Sequence, residues 1–325
     1  MSNLQPVCAK REVDSVAMRD AYCESLISLA EKNEKVLAIE VDVMASMGTT
    51  GFAKRFPRRS LNCGIQEANA VSMASGLAIM GYVPFFHAFG IFATRRVFDQ
   101  AFLSCGYAGA DVKFIGGDAG VTASANGGTH MPLEDMALMR SIPHSTVIEP
   151  ADTASIRALV PQLTDVGGVC YMRSCRKQVI RVYEDDACFT LGKANVIREG
   201  SDVTIVACGI MVHEALCAAE MLEKKGISSR VVDHFTVKPL DADCLYESAA
   251  KTGALVTAEN HSTTGGLGSA VAEFLAENIL VPLERVGVKE SFGEVGDVPY
   301  LMKRFQLTAE DIAAAAEKSI ARKKQ

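Results

Sequence analysis

A single glutamate opens a run of small and apolar residues, Glu67-Ala-Asn-Ala-Val-Ser-Met-Ala-Ser-Gly76. A carboxyl set among Ile, Ala, Val and Met is desolvated, which favours sharing a proton with a bound partner. A glutamate at a helix start is also stabilised by the helix dipole alone, and position by itself leaves both readings open. Farther on, Phe89, Phe92 and Arg95 recur at i, i+3 and i+6. On a continuous helix they would share a face. Two phenylalanines so placed form either core or an aromatic slot for a flat heterocycle. Gly265-Gly266-Leu267-Gly268 puts Val271 where a dinucleotide fingerprint needs its third glycine. It reads as tight strand-to-helix packing or as an anion seat on a helix N-terminus. His213-Glu214 lacks the second histidine of a zinc-protease helix, and no phosphate-binding Walker loop occurs.

Short β-branched runs alternating with longer amphipathic ones must position these residues. The rhythm is that of a parallel sheet covered by helices. Strands are expected at Val36–Val41, Val83–His87, Val112–Gly116, Thr146–Pro150 and Gly168–Arg173, with helices at Val16–Lys32, Gln66–Met80, Phe92–Ala108, Leu133–Arg140 and Thr153–Val166. The pattern pauses over Val182–Glu199 and resumes with strands near Val203–Cys208, Ser229–Asp233, Ala254–Glu259 and Glu284–Val288. Helices at His213–Lys225, Ala242–Thr252, Leu267–Asn278 and Ala309–Ala321 complete it. The division is therefore placed near residue 185, giving domains over 1–185 and 186–325, each an α/β/α sandwich with a mostly parallel sheet.

Composition narrows the function class. At 325 residues, 49% hydrophobic and 22% charged, the chain has material for two ordinary cores. A net charge of -6 gives no general attraction to nucleic acid or anionic lipid. The ten cysteines form no C-x-x-C pair and no zinc spacing. With a polar start and no membrane-length apolar run, the expectation is a reduced, cytoplasmic chain.

The stretch Cys63-Gly-Ile-Gln-Glu67 into Gly76, Val83-Pro84 through Phe89, Phe92, Arg95 and Phe98-Asp99-Gln100, then Gly127-Gly-Thr129-His130 and Arg173-Ser-Cys-Arg176, resembles the pyrimidine-binding domain of transketolases. Phe235-Thr-Val-Lys238-Pro239 and Glu259-Asn-His261 leading into Gly265-Gly-Leu-Gly268 resemble the C-terminal domain of the same family. The Gly-Asp-Gly…Asn mark of the diphosphate and Mg²⁺ site is not found; in Gly117-Asp118-Ala119-Gly120 the next Asn, Asn126, comes too soon.

The resemblance implies a subunit of a split transketolase. It would use thiamine diphosphate to move a two-carbon ketol unit between a ketose and an aldose. The diphosphate and Mg²⁺ ligands would sit on a partner subunit, in an α2β2 heterotetramer, with no metal ligand on this chain. A β subunit of a 2-oxoacid dehydrogenase, a deoxyxylulose-phosphate synthase-like half and a non-catalytic partner-binding chain are the alternatives. By resemblance Glu67 meets the ring nitrogen of the cofactor, Phe89 and Phe92 wrap its aminopyrimidine, and Arg95 aligns with an arginine of some members. Arg19, Ser46 and Arg176 fall where transketolases hold the far phosphate of the sugar, and His130 where they contact the reacting hydroxyls. Three positions depart from the family: Asp118 replaces a phosphate-binding histidine, Asn126 an aspartate facing the C2 hydroxyl, and His87 a small serine. Because the departures lie in the substrate shell, the expected substrate is a non-standard sugar.

Overall fold

The computed structural model describes residues 4–323, so the reading of the polar start falls partly outside the described residues. The chain runs α1 (Met18–Lys32), β1 (Val36–Glu40), α2 (Met44–Met47), α3 (Thr50–Arg55), β2 (Ser60–Asn62), α4 (Glu67–Ile79), β3 (Val83–Phe89), α5 (Gly90–Ala93), β4 (Lys113–Gly117), α6 (Asp135–Ser141), β5 (Thr146–Ile148), α7 (Thr153–Leu159) and β6 (Cys170–Ser174). It continues through β7 (Asn195–Arg198), β8 (Val203–Ala207), α8 (Met211–Glu223), β9 (Ser229–Asp233), β10 (Thr236–Lys238), α9 (Ala242–Thr252), β11 (Leu255–Ser262), α10 (Leu267–Asn278), β12 (Leu283–Val288), α11 (Val298–Arg304) and α12 (Ala309–Arg322).

Two sheets result, ordered β10-β5-β6-β4-β3-β1-β2 and β12-β11-β8-β9-β7. Among the strands of the described residues, β10 against β5 and β7 against β9 pair antiparallel and the rest pair parallel. Every residue of β1, β4, β6, β8 and β9 is buried, as strands covered on both faces require. This is the mostly parallel α/β architecture that the alternation implies. No helix among the described residues is long and apolar enough to cross a membrane.

Three strands escape the sequence pattern. β2 and β10 are three residues each, too short to show a period. β7 lies inside the stretch read as a pause, and β10 leaves the second half of the chain to cap the first sheet at β5. Two expected helices also differ in form; Thr153–Val166 is α-helical to Leu159 and continues as a 3₁₀ helix over Val160–Asp165. Residues 92–108 are not continuous: α5 is a single turn, Thr94 leaves helical space at φ -126°, a 3₁₀ turn spans Arg95–Val97, and a π-helix spans Gln100–Tyr107. The Thr94 hydroxyl donates back to the Gly90 carbonyl at 2.8 Å, closing the first turn on itself.

A buried charge cluster ties the two sheets together. Arg173 of β6 donates to Asp135 at 2.8 Å, Glu149 at 3.0 Å, and the carbonyls of Asn260 and Pro132 at 3.1 Å each. Glu259 of β11 accepts from the N–H groups of Leu267 and Gly268 at 2.7 and 2.8 Å. A Cβ at Gly266 would overlap its carboxylate. The glycine-rich start of α10 is thus both close-packed and an anion seat, and the anion is the chain's own.

Burial pushes Glu259 up to about 7, against those two N–H bonds, and pushes the neighbouring His261 down to about 4. The raised carboxyl stabilises the fold below its ordinary 4.5 and that contribution is lost as pH climbs to about 7. The depressed imidazole stabilises above its ordinary 6.5 and its contribution is lost as pH falls toward 4. The two slopes oppose each other over one window. His261→Gln should therefore unmask the carboxyl: on going from about pH 7 to about pH 5 the variant gains roughly 2 kcal/mol over wild type in chemical denaturation. Parallel profiles would reject this assignment.

Candidate active site

The sequence-predicted residues converge at the C-terminal ends of β1, β3, β4 and β6, the end of a parallel sheet where ligands bind. Glu67 is the first residue of α4 and its side chain is buried. Its Oε1 accepts from Arg96 Nη1 at 2.6 Å. The Arg96 guanidinium also lies over the Phe92 ring, 3.8 Å from its centroid. Phe92 stands 6.2 Å from Phe89, tilted 49°. The His130 ring meets both edge-on, at 5.2 Å from Phe92 and 6.0 Å from Phe89. Thr129 Oγ1 holds His130 Nδ1 at 2.9 Å.

Local backbone explains the placement. β3 passes directly into α5 at Gly90, where a Cβ would stand 2.8 Å from Pro132. The break at Thr94 means that Phe89, Phe92 and Arg95 do not share one helical face. Arg95 instead pairs with Glu134 at 2.8 Å on the solvent side. Arg96, four residues after Phe92, is the cation that turns inward. Because the break at Thr94 separates it from Phe92, no helical spacing in the sequence distinguishes Arg96 from Arg95.

The second group is linked to the first. Arg176, just past β6, donates Nε to Asp118 at 2.5 Å and lies 4.9 Å from the Phe89 centroid. Asp118 is buried and also accepts from Asn126 Nδ2 at 3.2 Å. It adopts φ +61°, a strained setting for a residue other than glycine. Arg19 on α1 donates to the Ser46 carbonyl at 3.1 Å, and its N–H reaches the Arg176 carbonyl at 3.4 Å. At Gly48, φ +82°, a Cβ would stand 3.0 Å from the Arg19 carbonyl, so the Ser46 loop closes tightly on α1. The segment bearing Asn126 is anchored from β11: Asn260 accepts from Val121 N–H and donates to the Ala119 carbonyl, both at 2.9 Å.

His87 does not face this group. It is fully buried, with Tyr22 at 2.7 Å on Nε2 and Glu40 at 3.1 Å on Nδ1. Its bulk, in place of a small serine, is absorbed under the sheet by those two partners.

A buried carboxylate beside an aromatic face, already holding a planar cation, suits a flat nitrogen heterocycle that donates to the carboxylate. Among the described residues no group of three or more His, Cys, Asp or Glu gathers to hold a metal. The grouped residues suit the pyrimidine end of a cofactor. Exposed apolar side chains lie elsewhere on the same elements: Ile65 just before α4, Ile79 and Met80 at its far end, and Leu103 and Tyr107 on the π-helix.

Residues 14–181 match the family described as the transketolase pyrimidine-binding domain, and residues 192–312 the transketolase C-terminal domain. The chain is 50% identical to the 6-deoxy-6-sulfo-D-fructose transketolase subunit SqwH of Clostridium sp. (strain MSTE9), over 94% of this chain and 95% of that one. It is 35% identical to an apulose-4-phosphate transketolase subunit of Phocaeicola vulgatus, over 93% and 96%. A solved structure described as a split gene transketolase, inactive beta4 tetramer, superimposes with a TM-score of 0.88 at 42% identity, covering 95% of this chain and all of that one.

Proposed function

This chain belongs to the transketolase family, and from that premise we propose that it is the pyrimidine-binding subunit of a thiamine-diphosphate transketolase whose ketose ends in a single negative charge, as in 6-deoxy-6-sulfo-D-fructose. Thiamine diphosphate, when bound, supplies the carbanion that attacks the ketose carbonyl. Glu67 would hold a proton at the ring nitrogen of the aminopyrimidine, and Phe92 with Phe89 would receive its face. His130, supported by Thr129, would contact the reacting hydroxyls, with Asn126 beside the C2 hydroxyl. Arg95, held by Glu134, would close the outer rim.

The observation that carries the substrate reading is the Arg176–Asp118 ion pair. Arg19 and Arg176 bring two positive charges to the sugar's far end; the buried Asp118 offsets Arg176, and Asp20, 3.7 Å from Arg19, is exposed and screened by solvent. A sulfonate carries one negative charge, whereas a phosphate monoester carries nearly two at neutral pH. At an effective dielectric near 20, one uncompensated charge about 5 Å away costs roughly 3 kcal/mol before solvent screening reduces it. Ser46 adds hydrogen-bonding capacity without charge. The test is a comparison of kcat/KM for a 6-sulfo ketose and xylulose 5-phosphate with the assembled enzyme. A preference for the sulfonate is expected; equal or better use of the phosphate would overturn the reading.

The partner would carry the diphosphate and Mg²⁺ ligands in an α2β2 heterotetramer within the cytoplasm, and the two domains would divide near residue 185. The exposed apolar residues of α4 and the π-helix support burial of this face on assembly. Met80→Asp should leave the melting temperature of the isolated chain within about a degree or two, since surface changes cost little, yet abolish co-elution with the partner in size-exclusion chromatography. Wild-type elution with the partner would move the interface elsewhere.

A further inference from the structure

We propose that Arg96 is a removable stand-in for the aminopyrimidine: its guanidinium fills the Glu67–Phe92 slot in the free chain and must swing out before the cofactor ring enters. This rests on the reading that Glu67 and Phe92 receive that ring.

The guanidinium makes both contacts the ring would make. It is planar and delocalised, with N–H donors in its plane. One donor bonds the Glu67 carboxylate at 2.6 Å, where a ring nitrogen would bond. Its carbon lies 3.8 Å from the Phe92 centroid, where a heterocycle would stack. The alternative of sliding between the two phenylalanines is closed. Stacked planes need about 3.5 Å each, hence about 7 Å between outer rings. Phe89 and Phe92 are 6.2 Å apart and tilted. The ring must therefore take the face that Arg96 now covers.

Of the two partners, Arg96 is the one able to leave. Its side chain is 45% exposed, against 6% for Glu67. It sits on the 3₁₀ turn Arg95–Val97, beyond the break at Thr94, and not on a continuous helix. Arg95 is held separately by Glu134, so the turn keeps an anchor when Arg96 swings. Asp99, exposed and three residues on, offers a carboxylate within reach of the swung-out side chain.

The arrangement has two effects of opposite sign. In the free chain Arg96 compensates a carboxylate that would otherwise be buried without a partner. During loading, the same contacts must be given up, which weakens cofactor binding. Arg96→Ala should therefore tighten thiamine diphosphate binding by the assembled enzyme about tenfold, read as Kd by calorimetry with Mg²⁺ present. The same substitution should lower the melting temperature of the cofactor-free enzyme by a few degrees. Arg96→Gln, which keeps polarity without the cationic plane, should shift Kd in the same direction. Unchanged or weaker binding in both variants would overturn the proposal, because it would mean that Arg96 stays in place beside the ring. If the wild-type complex does not bind thiamine diphosphate at all, the cofactor reading fails with it. If the wild type binds and neither variant binds more tightly, the stand-in falls alone.

Discussion

Replacing Glu67 with Gln should lower turnover of the reconstituted enzyme by about 10²- to 10⁴-fold, the range of a lost general acid–base group. The amide keeps the side chain's length and can still hydrogen-bond. It cannot hold the proton that a ring nitrogen needs for the tautomer able to deprotonate the cofactor. Glu67 is buried, so bulk solvent has little access to the position where the proton is needed. The substitution also loosens Arg96, whose 2.6 Å bond to this position loses its charge assistance. The fall should therefore appear mainly in kcat, with the sugar's KM changing little, on the proposal that Arg19 and Arg176 hold the far end. Steady-state kinetics of the two-subunit enzyme decide it. Turnover within a factor of two of wild type would remove Glu67 from the chemistry.

Converting Asp118 to Asn should shift sugar preference rather than abolish activity. The amide keeps the contact with Asn126 and nearly the same volume, but releases Arg176 from its 2.5 Å ion pair. The far-end site then gains one net positive charge. Discrimination between a phosphorylated and a sulfonated ketose should move toward phosphate by about 10- to 100-fold, corresponding to roughly 1.4–2.8 kcal/mol. Asp118→His, which restores the residue type usual in the family, should move it the same way. The readout is the ratio of kcat/KM for the two sugars at fixed ionic strength. An unchanged ratio would show that Asp118 is structural, holding the φ +61° bend and nothing more.

Much of this was legible in the sequence because it is local. A parallel strand buried on both faces is a short run with an apolar core, and β1 and β8 read that way, while β4, β6 and β9 carry buried Lys113, Arg173 and Arg230 within theirs. Ala242–Thr252 and Leu267–Asn278 start and stop where their patterns do. What stayed hidden depends on contacts between distant residues. β10 becomes a strand because β5 offers it an edge, and three residues carry no period of their own. The 92–108 segment has helical composition throughout, yet close packing at Gly90 and Gly106, where added Cβ atoms would stand 2.8 Å from Pro132 and Ile142, accompanies its division into three helical types. That division sends Arg95 outward and Arg96 inward. Likewise, the two readings of Gly265–Gly268 are united only by Glu259, which reaches the helix start from another element.

The crossing of β10 into the first sheet bears on any attempt to cut the chain in two. A fragment ending near residue 185 would keep six strands but leave the outer rim of β5 bare, with its N–H and C=O groups seeking a mate. The fragment should therefore polymerise or precipitate, and a short tethered peptide spanning Phe235–Lys238 should keep it dispersed.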